Sequence, residues 1–344
     1  MKALNILYLG VLSGTCLDRA RALERLGHTV THFDPRLMLP RTGWTDRVTW
    51  HIGGQYFGPW MERALAKTLH GCAYDLCIVD SGEWMTPSVV KLLKRYATKV
   101  ISYCIDDPTG PRDSRRFTAY RRALPFYDLV VVMRERNVQE VRQLGAKQVL
   151  RVFMSADEVS HAPRVITPQD QAKWQSQVLF LGTWMPERGP FLLELIRRGV
   201  PLTIQGSHWA KAPEWAELKP YWRGDAIAGD DYAKAIQCAQ INIGMLSKGN
   251  RDLHTTRSME VPALGGLLCA ERTSEHEALY RDGIDALFWR DASQCADQCL
   301  DLLTQPERIT QIARAGRERY LQQPHRNEAV MQAILRRAFE RACA

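Results

Sequence analysis

The sequence predicts an α/β protein made of two parallel-sheet domains, and three observations carry that prediction. Short apolar runs alternate with longer segments of helical periodicity from the first residues onward. The alternation closes near residue 153 and restarts near 178, after a proline-containing stretch without apolar periodicity. Many of the runs end on glycine or aspartate, residues that suit the turn from a strand into a helix. Strand–helix repetition of this kind gives parallel sheets, because a crossover helix must carry the chain back to the starting edge.

In order, residues 5–9 read as the first strand, with Leu7, Leu9 and Val11 passing into a turn at Gly10 and Gly14. A helix over 16–26 ends at Gly27, and a strand over 28–33 closes on Asp34-Pro35. Residues 36–60 are irregular and aromatic. Helices follow at 61–70, 87–95, 117–123 and 137–144, with strands at 76–79, 100–105, 129–133 and 149–153. Residues 1–155 thus form a first domain and 156–176 a linker. In the second domain, 177–325, strands are expected at 178–181, 201–204, 222–226, 241–246 and 267–270. Its helices are expected at 191–198, 231–238, 291–304 and 307–321, with one more from Thr255 or Thr256 to the break at Gly265-Gly266. A basic amphipathic helix occupies 326–342.

A chain of 344 residues with 45% hydrophobic and 24% charged content is long enough for two globular domains and is not of disordered composition. The nine cysteines, without a repeated C-x-x-C, argue against a disulfide scaffold or a structural zinc site and suit reduced thiols in a cytoplasmic protein. The amino terminus reads as a strand, since no small-residue cleavage site follows it. No apolar run approaches the ~20 residues that span a bilayer. A net charge of +8 suits an anionic ligand or peripheral contact with an acidic membrane surface. No nucleic-acid-binding signature accompanies it, and nucleic acid is not expected as a partner.

The stretch from Ala239 to Ala270 is the most informative. A buried strand, a basic loop and a helix follow one another, so the helix should begin at the carboxyl end of a sheet strand, where its unpaired N–H groups favour an anion. Lys248, Arg251 and Arg257 add positive charge there, with Thr255 and Thr256 at the expected helix start. Glu260 lies one turn inside, where a carboxylate can accept from ribose hydroxyls, and Asp252 precedes it by eight residues. A phosphate-and-ribose ligand is the natural guest. In the first turn of the same domain, Gly182 permits close backbone approach and Arg188 can fork onto diphosphate oxygens. In the first domain Asp106 and Asp107 end a strand, paired acids that could act as a general base or bind sugar hydroxyls; Glu83 is comparable.

Asp252-x7-Glu260, followed by Ala263-Leu264-Gly265-Gly266, resembles the E-x7-E element of GT-B glycosyltransferases, with Asp for the first Glu. Arg257 three residues before Glu260, and Asp106-Asp107-Pro108, are similar to the CgeB-type (spore-protein-like) glycosyltransferases. The resemblance implies two Rossmann-like domains facing a cleft, with a carboxyl-terminal helix returning to the first. It implies a nucleotide-sugar donor in the second domain, its ribose held by Glu260, its sugar near Asp252 and its diphosphate at Thr255 to Arg257 and at Gly182 and Arg188. The acceptor would meet the first domain, where 36–60 is a candidate acceptor-side insertion. The expected activity is transfer of a sugar to an acceptor hydroxyl, without a metal ion or further cofactor, since Arg188, Lys248 and Arg257 can neutralise the diphosphate. A sugar-nucleotide epimerase and a non-catalytic nucleotide-sugar-binding protein are the alternatives.

Other features support less. Gly10-x3-Gly14 with Asp34 lacks the G-x-G-x-x-G spacing of a dinucleotide site, so Asp34 reads as a strand-end cap. His208, His254 and His276 show no metal-ligand spacing. Trp184, Trp209 and Trp222 lie near strand ends, where one could stack on a base or sugar.

Overall fold

Along β1 (Asn5–Leu9), Ile6 and Tyr8 enter one apolar cluster while Leu7 and Leu9 enter another, so the strand has a core on both faces. The computed structural model describes residues 2–38, 53–113 and 115–340. Its first sheet adds β2 (Thr29–Phe33), β3 (Tyr74–Asp80), β4 (Ala97–Cys104), β5 (Leu129–Val132) and β6 (Val149–Arg151). All neighbours are parallel, in the order β2-β1-β3-β4-β5-β6. The two-sided alternation repeats in β3, where Leu76 and Ile78 join Ile6 while Cys77 and Val79 join Leu7.

The second sheet contains β7 (Ser176–Leu181), β8 (Leu202–Gln205), β9 (Trp222–Gly224), β10 (Ala239–Gly244), β11 (Leu268–Glu271) and β12 (Leu287–Trp289). It is also wholly parallel, in the order β12-β11-β10-β7-β8-β9. Two α/β units of parallel six-stranded sheets are therefore the fold, as the alternation predicts. One unit comprises Met1–Met154, Gly249–Arg251 and Asn327–Ala344; the other comprises Ser155–Lys248 and Asp252–Arg326. Within the first unit, the helix Asn327–Phe339 places Val330, Met331, Ile334 and Leu335 in the cluster that holds Ile6 and Tyr8.

The structure departs from the expected elements where they are short. The stretch 156–176, expected as a linker, belongs to the second unit and contains the helix Pro168–Trp174. Its proline is not a breaker: it occupies the first helical turn, where its missing N–H has no partner to lose. Thr167 and Asp170 form a reciprocal capping box before it, and Trp174 is buried. Strand β12 and the helices Trp215–Leu218 and Ser274–Leu279 were also beyond the reach of periodicity, having three, four and six residues. Of the irregular segment 36–60, residues 39–52 lie outside the described residues. The flanks Pro35–Met38 and Gln55–Phe57 are single 3₁₀ turns.

Candidate functional site

Each sheet has one place where chain order reverses, and the loops leaving the two strands there diverge to leave a crevice at their carboxyl ends. In the second unit that place lies between β7 and β10. Leu181 ends β7, and Gly182 follows. A Cβ on Gly182 would lie 2.9 Å from the Phe180 ring and 3.3 Å from the Arg188 Nη1, so both side chains pack closely over the bare glycine. Its carbonyl accepts from the Trp209 indole N–H at 3.0 Å.

Arg188, the first residue of the helix Arg188–Arg197, is 8% exposed. Its Nη1 donates to the Thr183 carbonyl at 2.8 Å and its Nη2 to the Met245 carbonyl at 3.4 Å, joining the segments that follow β7 and β10. Arg257 reaches the same strand end, donating from Nε to the Leu181 carbonyl at 3.3 Å. Its Nη1 donates to Glu260 Oε2 at 2.5 Å, and its guanidinium lies 4.8 Å from the centre of the Tyr232 ring. The two arginines thus share the Leu181–Thr183 strand end.

Glu260 is 2% exposed. Oε2 accepts from the Tyr232 hydroxyl at 2.5 Å and from Arg257, while Oε1 lies 3.5 Å from His161 Nε2. His161 Nδ1 accepts from the Asp157 backbone N–H at 2.9 Å, which places the proton of a neutral ring on Nε2, facing Glu260. Burial works to raise the Glu260 pKa, but Arg257, His161 and the hydrogen bonds together hold it below the usual carboxylate range.

The helix start differs from expectation. The helix Arg257–Ala263 has seven residues, and Thr256 at its cap has helical backbone angles and makes no side-chain cap. Ser258 Oγ accepts from the Thr255 N–H at 3.0 Å, and Thr255 Oγ1 accepts from the Arg257 N–H at 3.4 Å. The loop therefore satisfies these two donors internally, and the Arg188 and Arg257 guanidinium groups bring fixed positive charge to the strand end. Behind it, Ser258 Oγ meets His276 Nε2 at 2.7 Å, and His276 Nδ1 donates to the Glu271 carbonyl at 2.6 Å. Burial lowers the His276 pKa to about 4, so the ring is a neutral brace; sequence spacing gave no sign of this role. Pro262, inside the helix, cannot bond the Ser258 carbonyl four residues back, and the Tyr280 hydroxyl donates to that oxygen instead at 2.7 Å. Gly265, with φ of 82°, ends the helix, as its sequence position suggests.

The other expected residues are placed as follows. Asp252 is 8% exposed, its N–H donating to the Ser247 carbonyl at 3.4 Å. Lys248 is largely exposed and pairs with Glu271. Arg251, expected among the cations of the helix start, belongs to the first unit. Its φ of 53° turns the chain, and its guanidinium forks onto Asp107 (2.5 and 2.8 Å) and Glu140 (2.8 Å twice). Two carboxylates hold it there, a stronger demand than one diffusible anion makes. Trp209 and Trp222 are spent as donors to the Gly182 and Gly206 carbonyls; Trp184 is half-buried.

The two neighbouring aspartates of the first unit have different environments. Asp107 is 1% exposed and accepts from Arg251, from Asn137 at 2.8 Å and from Thr109 at 3.3 Å. Against its burial, the Arg251 and Asn137 hydrogen bonds hold its pKa below the usual value. These are the contacts of a structural acid, not of a base. Asp106 has looser partners, Arg116 at 3.6 Å and Asn250 at 3.4 Å, and burial pushes its pKa up in spite of Arg116. Glu83 is clamped by Arg116 through 2.7 and 2.6 Å bonds and accepts from Ser81 at 3.0 Å. It lines a small crevice with Gly10, Asp34, Asp80 and Trp84, at the β1–β3 reversal point of this unit. Asp34 there clamps Arg36 and accepts its backbone N–H at 3.0 Å, the cap role expected of it.

Residues 188–336 match the family model described as Glycosyl transferase-like, so a glycosyl transferase-like domain occupies that part of the chain. No curated protein matches the sequence. Among solved structures, sucrose-phosphate synthase from Thermosynechococcus elongatus superposes with a TM-score of 0.69 at 13% identity, covering 97% of this chain and 98% of its own. Anabaena HepE in complex with UDP-glucose gives 0.66 at 13%, covering 97% and 99%. A glycosyltransferase from Rickettsia africae gives 0.63 at 12%, covering 99% and 100%. These likenesses establish the GT-B class of fold. No helix among the described residues is long and apolar enough to cross a membrane.

Proposed function

We propose that this protein transfers a sugar from a nucleoside-diphosphate sugar to an acceptor hydroxyl, without a metal ion. The observation that carries the proposal is the pair Arg188 and Arg257, both anchored to backbone carbonyls of the Leu181–Thr183 strand end beside Gly182. As the glycosidic bond breaks, negative charge grows on the leaving diphosphate. Guanidinium groups already fixed in place stabilise that charge without reorganising. Glu260 Oε2 is held by Tyr232 and Arg257, while Oε1 has only the longer 3.5 Å contact with His161 and is the oxygen that accepts from ribose hydroxyls. Asp252 stands by the transferred sugar. In the first unit Asp106, with its raised pKa, is the base that takes the acceptor proton, and the crevice around Glu83 and Trp84 receives the acceptor. The finer resemblance to CgeB-type enzymes rests on Arg257 three residues before Glu260 and on Asp106-Asp107-Pro108.

The test is a thermal-shift screen of UDP, GDP, dTDP and CMP sugars, UDP sugars first because HepE was solved with UDP-glucose. A donor at one hundred times its Kd adds about 2.7 kcal/mol of stability. The shift should vanish in Arg188→Ala. If no nucleotide sugar moves the transition, the donor site is wrongly assigned.

A further inference from the structure

Three of the cysteines read from the sequence as scattered are gathered by the fold. Cys269 lies on β11, and Cys295 and Cys299 stand one turn apart on the helix Ala292–Leu303. All three have no exposed surface, and their sulfur atoms lie within 4.8 Å of one another. Among the described residues, this is the one group of three or more Cys, His, Asp or Glu side chains whose ligand atoms converge so closely. The surroundings are apolar: the cysteines belong to the same buried cluster as Leu267, Leu287, Leu302, Ile309 and Ile312.

We infer that Cys269, Cys295 and Cys299 form a thiophilic site for a single soft, three-coordinate ion, distinct from the sugar-transfer site. With sulfur–ion bonds of about 2.3 Å, a planar threefold arrangement spaces the sulfurs about 4.0 Å apart and a pyramidal one brings them closer, both within the 4.8 Å that bounds the present triangle. Thiolates select soft ions over hard ones. The apolar setting selects further, because a net charge left in it is unfavourable to bury. Three thiolates around a divalent ion carry −1, whereas three around a trivalent soft centre carry none. Arsenite therefore suits the site: As(OH)₃ + 3 RSH → As(SR)₃ + 3 H₂O. Three As–O bonds break and three As–S bonds form. The thiol protons leave with the hydroxides as water, and no atom changes oxidation state.

The experiment uses the full chain with Cys72 and Cys343 replaced by serine, which removes the exposed thiol and the one beyond the described residues. The protein is refolded with arsenite and desalted. Bound arsenic is then measured by mass spectrometry and free thiols are counted after denaturation. One arsenic per chain with three thiols lost is expected. Cys295→Ala and Cys299→Ala, each checked for native circular dichroism, should retain less than a tenth of that arsenic. Cys238→Ala, which removes a buried cysteine outside the triad, should retain it all. No uptake by the parent, or uptake unchanged in the Cys295 and Cys299 variants, overturns the inference. Should those variants fail to fold, the thiol count on the parent still decides: fewer than three thiols lost per arsenic sinks it.

Discussion

The Tyr280 hydroxyl donates to the carbonyl oxygen of Ser258 at 2.7 Å, supplying the bond that Pro262 cannot make. Both groups are buried, so removing the hydroxyl leaves a carbonyl with a poorer partner at the start of the helix that carries Arg257 and Glu260. Tyr280→Phe should cost about 1–3 kcal/mol in urea unfolding. It should also weaken donor binding, read as a smaller thermal shift. Unchanged stability would show that the bond is idle.

Glu260 and Arg257 form a pair whose acid is almost fully buried. Glu260→Ala leaves the Arg257 guanidinium over Tyr232 without its carboxylate and should cost about 3–5 kcal/mol, with the partial exposure of Arg257 favouring the lower end. Glu260→Gln keeps the shape and should fold better. If the acid grips the ribose, both variants lose nucleotide-sugar affinity; a Gln variant that binds donor as the parent does would remove that role.

Asp106 and Asp107 should separate in kinetics. Asp106→Asn is expected to lower kcat at least a hundredfold, the usual scale of a lost general base, while donor affinity stays the same. Asp107→Asn weakens its bonds to Arg251 and should show mainly as lost stability. Because the Asp106 pKa is raised, the acid limb of kcat/KM should lie above the ordinary aspartate range, with activity growing as pH rises through it. A profile flat across that range would rule out Asp106 as the titrating base.

His276 makes stability depend on pH in one direction. Its folded pKa of about 4 lies below the 6.5 of an unfolded histidine. Above pH 6.5 the ring is neutral in both states and contributes nothing to the pH dependence. Below it the unfolded chain takes up a proton that the folded chain refuses. Stability therefore falls by up to roughly 3 kcal/mol between pH 6.5 and 4. His276→Gln, weaker at pH 7.5, should show a shallower fall over that interval in urea titrations.

Long elements were legible in the sequence because burial on both faces of a parallel strand leaves a continuous apolar run, as in Ile6 to Leu9. The short helices Trp215–Leu218 and Ser274–Leu279 left no such trace, and the Pro168 helix was hidden because proline signals a break and a helix start alike. At the site, residue type and spacing located Gly182, Arg188, Arg257 and Glu260 on one unit. They could not show which ion pairs would form. Arg251 was drawn to Asp107 and Glu140, more than a hundred residues away in sequence, and His161 and Tyr232 joined Glu260 from segments with no motif of their own.

The helix Asn327–Phe339 supplies Val330, Met331, Ile334 and Leu335 to a core whose other members come mainly from the first 154 residues. During synthesis residues 6–154 must wait, with an oily flank uncovered, until residues 327–339 have been translated. A ribosome that stalls, or a frameshift, anywhere before residue 327 would therefore cripple a unit whose strands had already been made.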